Sequence, residues 1–88
     1  MEIKQGKNMF YVGEQEQPLA KITYTYESAN TIVVDHTFVS EELRGQKMAG
    51  KLVDRVVSYA RENHLKIVPE CTYAAKVLSA KEYQDILK

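Results

Sequence analysis

The stretch from Ser40 to Gly50 holds the residues with the clearest potential for chemistry in this sequence. It stands between a strand pattern and a helix pattern, so it would present free helix N–H groups together with Arg44, Gly45 and Lys47. Such N–H groups and the partial positive charge of a helix N-terminus bind phosphate, and a glycine lets the main chain approach a ligand closely. The same residues also fit a solvated charged turn, and residue chemistry alone leaves both interpretations open.

One motif at this turn is rejected. The segment Gly45-Gln46-Lys47-Met48-Ala49-Gly50-Lys51 has the spacing of a nucleotide-binding P-loop. A P-loop continues with Ser or Thr, which holds magnesium, whereas this chain has Leu52. Ala49 also belongs to the apolar stripe of the following helix, and 88 residues leave no space for the remaining nucleotide machinery.

Two further side chains could transfer an acyl group or a proton. Cys71 follows Pro69-Glu70 at the end of a short strand. A thiol with a lowered pKa is a nucleophile or a proton donor, although most free cysteines are small buried apolar residues. His36 has the strand parity of Ile32 and Val34, so its ring is expected on an apolar face, as a functional group or as a hydrogen-bonded core or edge histidine. On adjacent strands at similar height, Cys71 and His36 could form a pair.

The periodicity of apolar residues places these side chains in an α+β fold. We expect three N-terminal antiparallel strands, a long central helix, a fourth strand parallel to the third and a short C-terminal helix. The third strand, the helix and the fourth strand form a β-α-β unit, and such sheets bind ligands at the carboxyl ends of their strands. The predicted elements are strands over 9–12, 20–27, 31–39 and 65–68, a helix from Ala49 to Asn63-His64, and a closing helix over 79–87 with Ser79 as its N-cap.

Composition limits the class of protein. A chain of 88 residues is expected to form one domain over 1–88. Lys plus Arg and Asp plus Glu are 12 each, and this zero net charge disfavours general nucleic-acid binding. A single cysteine excludes an intramolecular disulfide and fits a reducing compartment. With no apolar run of membrane length and no signal-peptide core, we expect a soluble cytoplasmic protein without a metal site, a membrane or a nucleic-acid partner.

The segment Phe38–Ala49 resembles the central motif of the GNAT superfamily of N-acetyltransferases. That motif is a hydrophobic strand end, then Arg or Gln, two residues, Gly, one residue, and Gly or Ala. Arg44 and Ala49 match its first and last positions, and Lys47 stands where the motif has Gly. The resemblance extends to a branch of short, single-domain GNAT-like proteins with a Cys near the active site. It rests on His36-Thr37, Leu43-Arg44-Gly45-Gln46, Pro69-Glu70-Cys71-Thr72-Tyr73 and Lys81-Glu82-Tyr83.

This resemblance implies acetyl-CoA as co-substrate and gives roles to individual residues. Phe38 and Val39 would contact the pantetheine arm, and Cys71 and His36 would lie near the acetyl group as catalytic residues. Tyr73 is a reserve general acid. A positive φ at position 47 would strain a lysine. The residues implied to hold the pyrophosphate are Arg44, Gly45, Gln46, Lys47, Met48 and Ala49.

Two functions remain open at this stage. The first is transfer of an acetyl group from acetyl-CoA to an amine, on a small molecule or a protein. The second is a catalytically weak acyl-CoA-binding or protein-interaction module with the same fold. A tyrosine-rich sheet that stacks RNA bases is a third interpretation, disfavoured by the neutral charge and the strand order. The small open sheet fits a monomer or a weak homodimer.

Overall fold

Five strands form one sheet whose spatial order follows the order of the chain. The computed structural model describes residues 2–88. Neighbouring strands are antiparallel except the last two, which are parallel and are joined through the long helix. The predicted α+β fold is therefore confirmed. Its elements are β1 (Lys4–Gly6), β2 (Met9–Gly13), β3 (Pro18–Ser28), β4 (Thr31–Val39), a 3-10 turn (Glu41–Leu43), α1 (Met48–Glu62), β5 (Lys66–Pro69), α2 (Thr72–Leu78) and a second 3-10 turn (Lys81–Tyr83).

Two elements differ from the sequence prediction. The polar strand β1 was not expected; it pairs with β2 across a turn in which Asn8 has a φ of 57°, a left-handed conformation that asparagine tolerates. The short C-terminal helix exists, but it is α2 over Thr72–Leu78. The predicted N-cap at Ser79 is wrong, because Ser79 is the C-cap of α2. Ala74 and Leu78, four residues apart, are both buried, and this contact with the core holds α2 in place.

The helix α1 crosses one face of the sheet and covers it. Its predicted apolar stripe is buried from Leu52 to Ala60, while Ala49 is half-buried. The helix ends at Glu62 with Asn63 as its C-cap. The next residue, His64, has a φ of 57°, and the Leu65 N–H donates to the Ala60 carbonyl at 2.7 Å, as in a Schellman cap. No helix within residues 2–88 has the length and apolar character to cross a membrane. The sheet contributes to this core Phe10, Val12, Ala20, Ile22, Tyr24, Ile32, Val34 and Ile67.

A β-bulge at Asp35 changes the direction of the side chains in the second half of β4. Tyr24 pairs with Val34 and Thr23 pairs with His36, so Asp35 is an extra residue in β4. After the bulge, Thr37 pairs with the buried Ile22 and is itself half-buried. The bulge thus turns Thr37 toward the core. The side chains exposed on the other side of the sheet, here called the open face, include Thr25, Asp35, His36 and Phe38.

Candidate functional site

A gap opens between β4 and β5 beyond Val34. The two strands pair from Thr31–Lys66 to Val34–Pro69, and β4 then continues to Val39 with no strand of residues 2–88 on that edge. Pro69 has no N–H to extend the ladder. The next two N–H groups, of Glu70 and Cys71, both donate to the Val34 carbonyl at 3.0 Å. The chain then turns away into α2, so the second half of β4 has an unpaired edge.

The main-chain groups of Thr37 and Val39 point into this gap. Successive residues of a strand direct their N–H and C=O groups to opposite edges, and the Ser40 N–H donates to the Leu19 carbonyl of β3 at 2.8 Å. The main-chain groups of His36 and Phe38 therefore face β3, while those of Thr37 and Val39 face the gap. The Arg44 Nε–H contacts the Val39 carbonyl at 3.4 Å, which agrees with this assignment. Of the two predicted pantetheine contacts, Val39 directs its main-chain groups into the gap, whereas those of Phe38 face its partner strand.

The turn after β4 ends in the free N-terminus of α1. Gly45 has a φ of 88° and Lys47 a φ of 59°. Within residues 2–88, no main-chain carbonyl accepts the N–H groups of Lys47, Met48, Ala49 or Gly50. The Gln46 N–H differs, because it donates to the Leu43 carbonyl at 3.3 Å. A shallow cavity of about 160 Å³ lies over this turn and is lined by Val39, Leu43, Arg44, Gly45, Lys47, Met48 and Ala49.

Lys47 is the N-cap of α1 and adopts the left-handed conformation that strains a residue with a side chain. Lys47→Gly removes this strain, and we expect the free energy of unfolding to rise by up to about 1 kcal/mol. For a domain of this size, that corresponds to a rise in the melting temperature of roughly 4–8 °C. Lys47→Ala is the matched control, because it removes the same charge but keeps a Cβ. Equal melting temperatures for the two variants would show that position 47 stores no strain.

Cys71 lies half-buried beside the gap, at the N-cap of α2. Its thiol donates to the Thr37 hydroxyl with an Sγ–Oγ1 distance of 3.4 Å. Partial burial raises the pKa of this thiol. The Thr37 hydroxyl and the main-chain N–H groups of Ala74, Tyr73 and Thr37 lower it, and the net pKa lies below the ordinary value of a thiol. Cys71 is therefore held in surroundings that favour its thiolate.

His36 does not lie on the apolar face where its parity placed it, and that expectation is wrong. The bulge at Asp35 puts His36 opposite Thr23 on the open face, where its side chain is exposed. Side chains alternate between the faces of a strand, so His36 and Thr37 point to opposite sides of β4. The cysteine is consequently paired with Thr37, a residue that the family resemblance includes but to which no role was assigned. A bulge leaves no periodic signal in the sequence, so only the register of the strands shows that Thr37 faces the core.

A family model and solved structures match this chain. A family model described as GCN5-related N-acetyl-transferase matches residues 9–86. The NMR solution structure of a GCN5-like candidate N-acetyltransferase from Staphylococcus aureus is 47% identical, with a TM-score of 0.82 over 99% of this chain and 87% of that one. No curated protein sequence matches the chain.

Two larger crystal structures share the fold at low identity. A GNAT family acetyltransferase from Elizabethkingia anophelis, solved with acetyl-CoA bound, is 14% identical with a TM-score of 0.61. The ribosomal-protein-alanine N-acetyltransferase from Brucella melitensis biovar Abortus 2308 is 18% identical with a TM-score of 0.62. Each match covers 81% of this chain, but only 50% of the Elizabethkingia chain and 59% of the Brucella chain.

Proposed function

The chain belongs to the GCN5-related N-acetyltransferase family, and from this premise we propose that it binds acetyl-CoA between β4 and β5 and transfers the acetyl group to an amine. The observation that carries the proposal is the unpaired edge of β4, which the turn over residues 40–47 connects to the free N-terminus of α1. An extended arm with amide groups can add to such an edge like a further strand, and a pyrophosphate fits the helix N-terminus. The two features lie in the order that an acetyl-CoA molecule requires.

In this proposal the cofactor follows the chain from the turn to the bulge. The N–H groups of Lys47, Met48 and Ala49 bind the pyrophosphate, with Gly45 and Gln46 completing the turn around it. The Arg44 guanidinium leaves the Val39 carbonyl and pairs with a phosphate. The pantetheine amides bond to the gap-facing groups of Val39 and Thr37, and Phe38 supports the neighbouring strand. The thioester then lies near Cys71.

Cys71 acts as the nucleophile in the proposed reaction. Its thiolate attacks the carbonyl carbon of acetyl-CoA, a new bond forms between Sγ and carbon, and the bond to the CoA sulfur breaks. The CoA thiolate leaves and takes up a proton from solvent, which balances the proton that Cys71 released. A neutral amine then attacks the S-acetyl carbon, and Cys71 departs as the thiolate. The donors around Sγ that lower the thiol pKa support both steps.

His36 is proposed as the group that deprotonates the amine. It is exposed on the open face, one residue before Thr37 in β4, and so lies near the open-face entrance of the gap. The cofactor approaches from the N-terminus of α1, so an acceptor that enters from the open face would reach the acetyl group on the side opposite to the cofactor. Imidazole is the most frequent general base. His36 would therefore act on the acceptor, and Cys71 on the donor.

Titration with acetyl-CoA, recorded through amide shifts of the labelled full chain, tests the proposal. We expect the largest shifts over residues 37–50, where the free main-chain groups and the turn lie. Pantetheine without its nucleotide is the control ligand and should shift only the β4 half of this region. Absence of shifts there at millimolar acetyl-CoA would refute the proposal. Shifts without acetylation of any amine would instead favour a catalytically weak acyl-CoA-binding module.

A further inference from the structure

We propose that Thr37 is a positioning residue that sets the reactivity of the Cys71 thiol. The inference rests on the proposed function, because it concerns the nucleophile of that reaction. The Thr37 hydroxyl lies 3.4 Å from the Cys71 sulfur. Within residues 2–88 the Thr37 hydroxyl makes no other hydrogen bond, so the Cys71 thiol is its one partner there.

The backbone holds both partners of this contact. The Cys71 N–H donates to the Val34 carbonyl at 3.0 Å, which fixes the cysteine at the end of the β4–β5 pairing. The bulge at Asp35 turns Thr37 away from the open face and pairs it with Ile22. Thr37 therefore presents its hydroxyl to the Cys71 sulfur, and its N–H group also lowers the pKa of the thiol.

The hydroxyl can serve both protonation states of the thiol. It accepts a hydrogen bond from the S–H group, and after a rotation of its O–H bond it donates one to the thiolate. Hydrogen bonds to a charged form favour that form, and those to an ion are stronger than neutral ones. The Thr37 hydroxyl is the largest of the groups that lower the pKa of Cys71 against the effect of burial. It therefore increases the fraction of thiolate near neutral pH.

Charged neighbours do not explain the same effect. The titratable groups nearest in the chain and sheet are Asp35 and His36 of β4, Glu70 beyond β5 and Tyr73 of α2. None of these side chains is among the causes of the lowered Cys71 pKa. The Tyr73 hydroxyl instead points toward α1, where it lies 3.6 Å from the position that a Cβ on Gly50 would take. The pKa of Cys71 is lowered by uncharged groups, and among them only Thr37 acts through a side chain that a substitution can remove.

The test compares Thr37→Val with Thr37→Ser. Valine has the shape of threonine without the hydroxyl, whereas serine keeps the hydroxyl. The rate of alkylation by iodoacetamide is measured against pH on the full chain, and it reports one site because Cys71 is the only cysteine. We expect the midpoint of the profile to move to higher pH in Thr37→Val, with a rate near neutral pH that falls roughly tenfold. Thr37→Ser should restore the wild-type profile.

The outcomes separate this inference from the proposed function. A Thr37→Val profile that superimposes on the wild-type profile would overturn the role of Thr37, even if acetyl-CoA still shifts residues 37–50. If acetyl-CoA produces no shifts but the profile moves, the proposed function fails and the effect of Thr37 on the thiol stands. If Thr37→Val does not fold, as judged by its amide spectrum, Thr37→Ala against Thr37→Ser gives the same comparison, and equal profiles would again refute the inference.

Discussion

Replacing Cys71 with alanine is expected to lower the rate of amine acetylation by at least about 100-fold, while the affinity for acetyl-CoA changes little. The thiol lies beside the gap, but the proposed contacts to the cofactor are main-chain groups of β4 and of the turn. Removing Sγ therefore removes the nucleophile and leaves the binding site. The measurement is steady-state release of CoA with a panel of primary amines, together with the dissociation constant from the amide titration.

A serine at position 71 is the matched control for packing, because it keeps a group of similar size that is far less ionised than a thiol. Cys71→Ser should be as slow as Cys71→Ala. Wild-type protein mixed with acetyl-CoA in the absence of an amine should gain the mass of one acetyl group on the peptide that contains Cys71. An unchanged rate in both variants would exclude Cys71 from the chemistry and favour the weakly catalytic binding module.

The lowered pKa of Cys71 also gives the sign of a pH dependence. The reactive thiolate accumulates as pH rises through the pKa of the folded protein, and a lowered pKa moves this rise to more acidic pH. Acetylation of Cys71 by acetyl-CoA should therefore begin at a lower pH than acetylation of a free thiol. In Cys71→Ser, this rise of the acetylation rate with pH should be absent.

The second large effect is expected from a negative charge in the phosphate-binding turn. Ala49 lies in the first turn of α1 and lines the cavity over the turn. Ala49→Glu would place a carboxylate near the pyrophosphate, and repulsion of about 2 kcal/mol corresponds to about 30-fold weaker binding of acetyl-CoA. The dissociation constants of the two proteins, measured by calorimetry at low salt, check this expectation.

Ala49→Gln separates charge from size in this experiment, since the two side chains have nearly the same shape. The glutamate is not expected to destabilise the fold, because an acidic side chain in the first turn of a helix is favourable. A loss of affinity that is equal in Ala49→Gln and Ala49→Glu would point to steric blocking alone. An unchanged affinity in both would place the pyrophosphate elsewhere.

The fold was largely predictable because its main elements depend on regular periods. The stripe from Leu52 to Ala60 and the alternation in β3 each bury one face, and the structure has both. The strand β4 was predicted over its full length from 31 to 39. The C-terminal helix was misplaced because Ser79 suits an N-cap, whereas tertiary contacts of Ala74 and Leu78 decide where α2 lies.

The candidate site was predictable where it depends on the turn and on a rare residue type. Lys47 stands where the motif has Gly, and it has the positive φ that was expected to strain a lysine if the position required it. Cys71 could be singled out because no other thiol competes with it. The partner of Cys71 could not be predicted, because one extra residue at Asp35 exchanges the faces of His36 and Thr37, and no local pattern announces a bulge.

The bulge at Asp35 divides β4 into two halves that can evolve under different constraints. From Thr31 to Val34 the strand is hydrogen-bonded on both edges, so the effect of a substitution there depends on packing. Beyond Asp35 one edge is free, and the effect of a substitution there depends on what binds in the gap. The change from a structural to a functional segment thus occurs within nine consecutive residues, at the point where β5 ends beside Val34. Deleting Asp35 would restore regular pairing with β3 while keeping Thr37 on its present face and the edge beyond Val34 free.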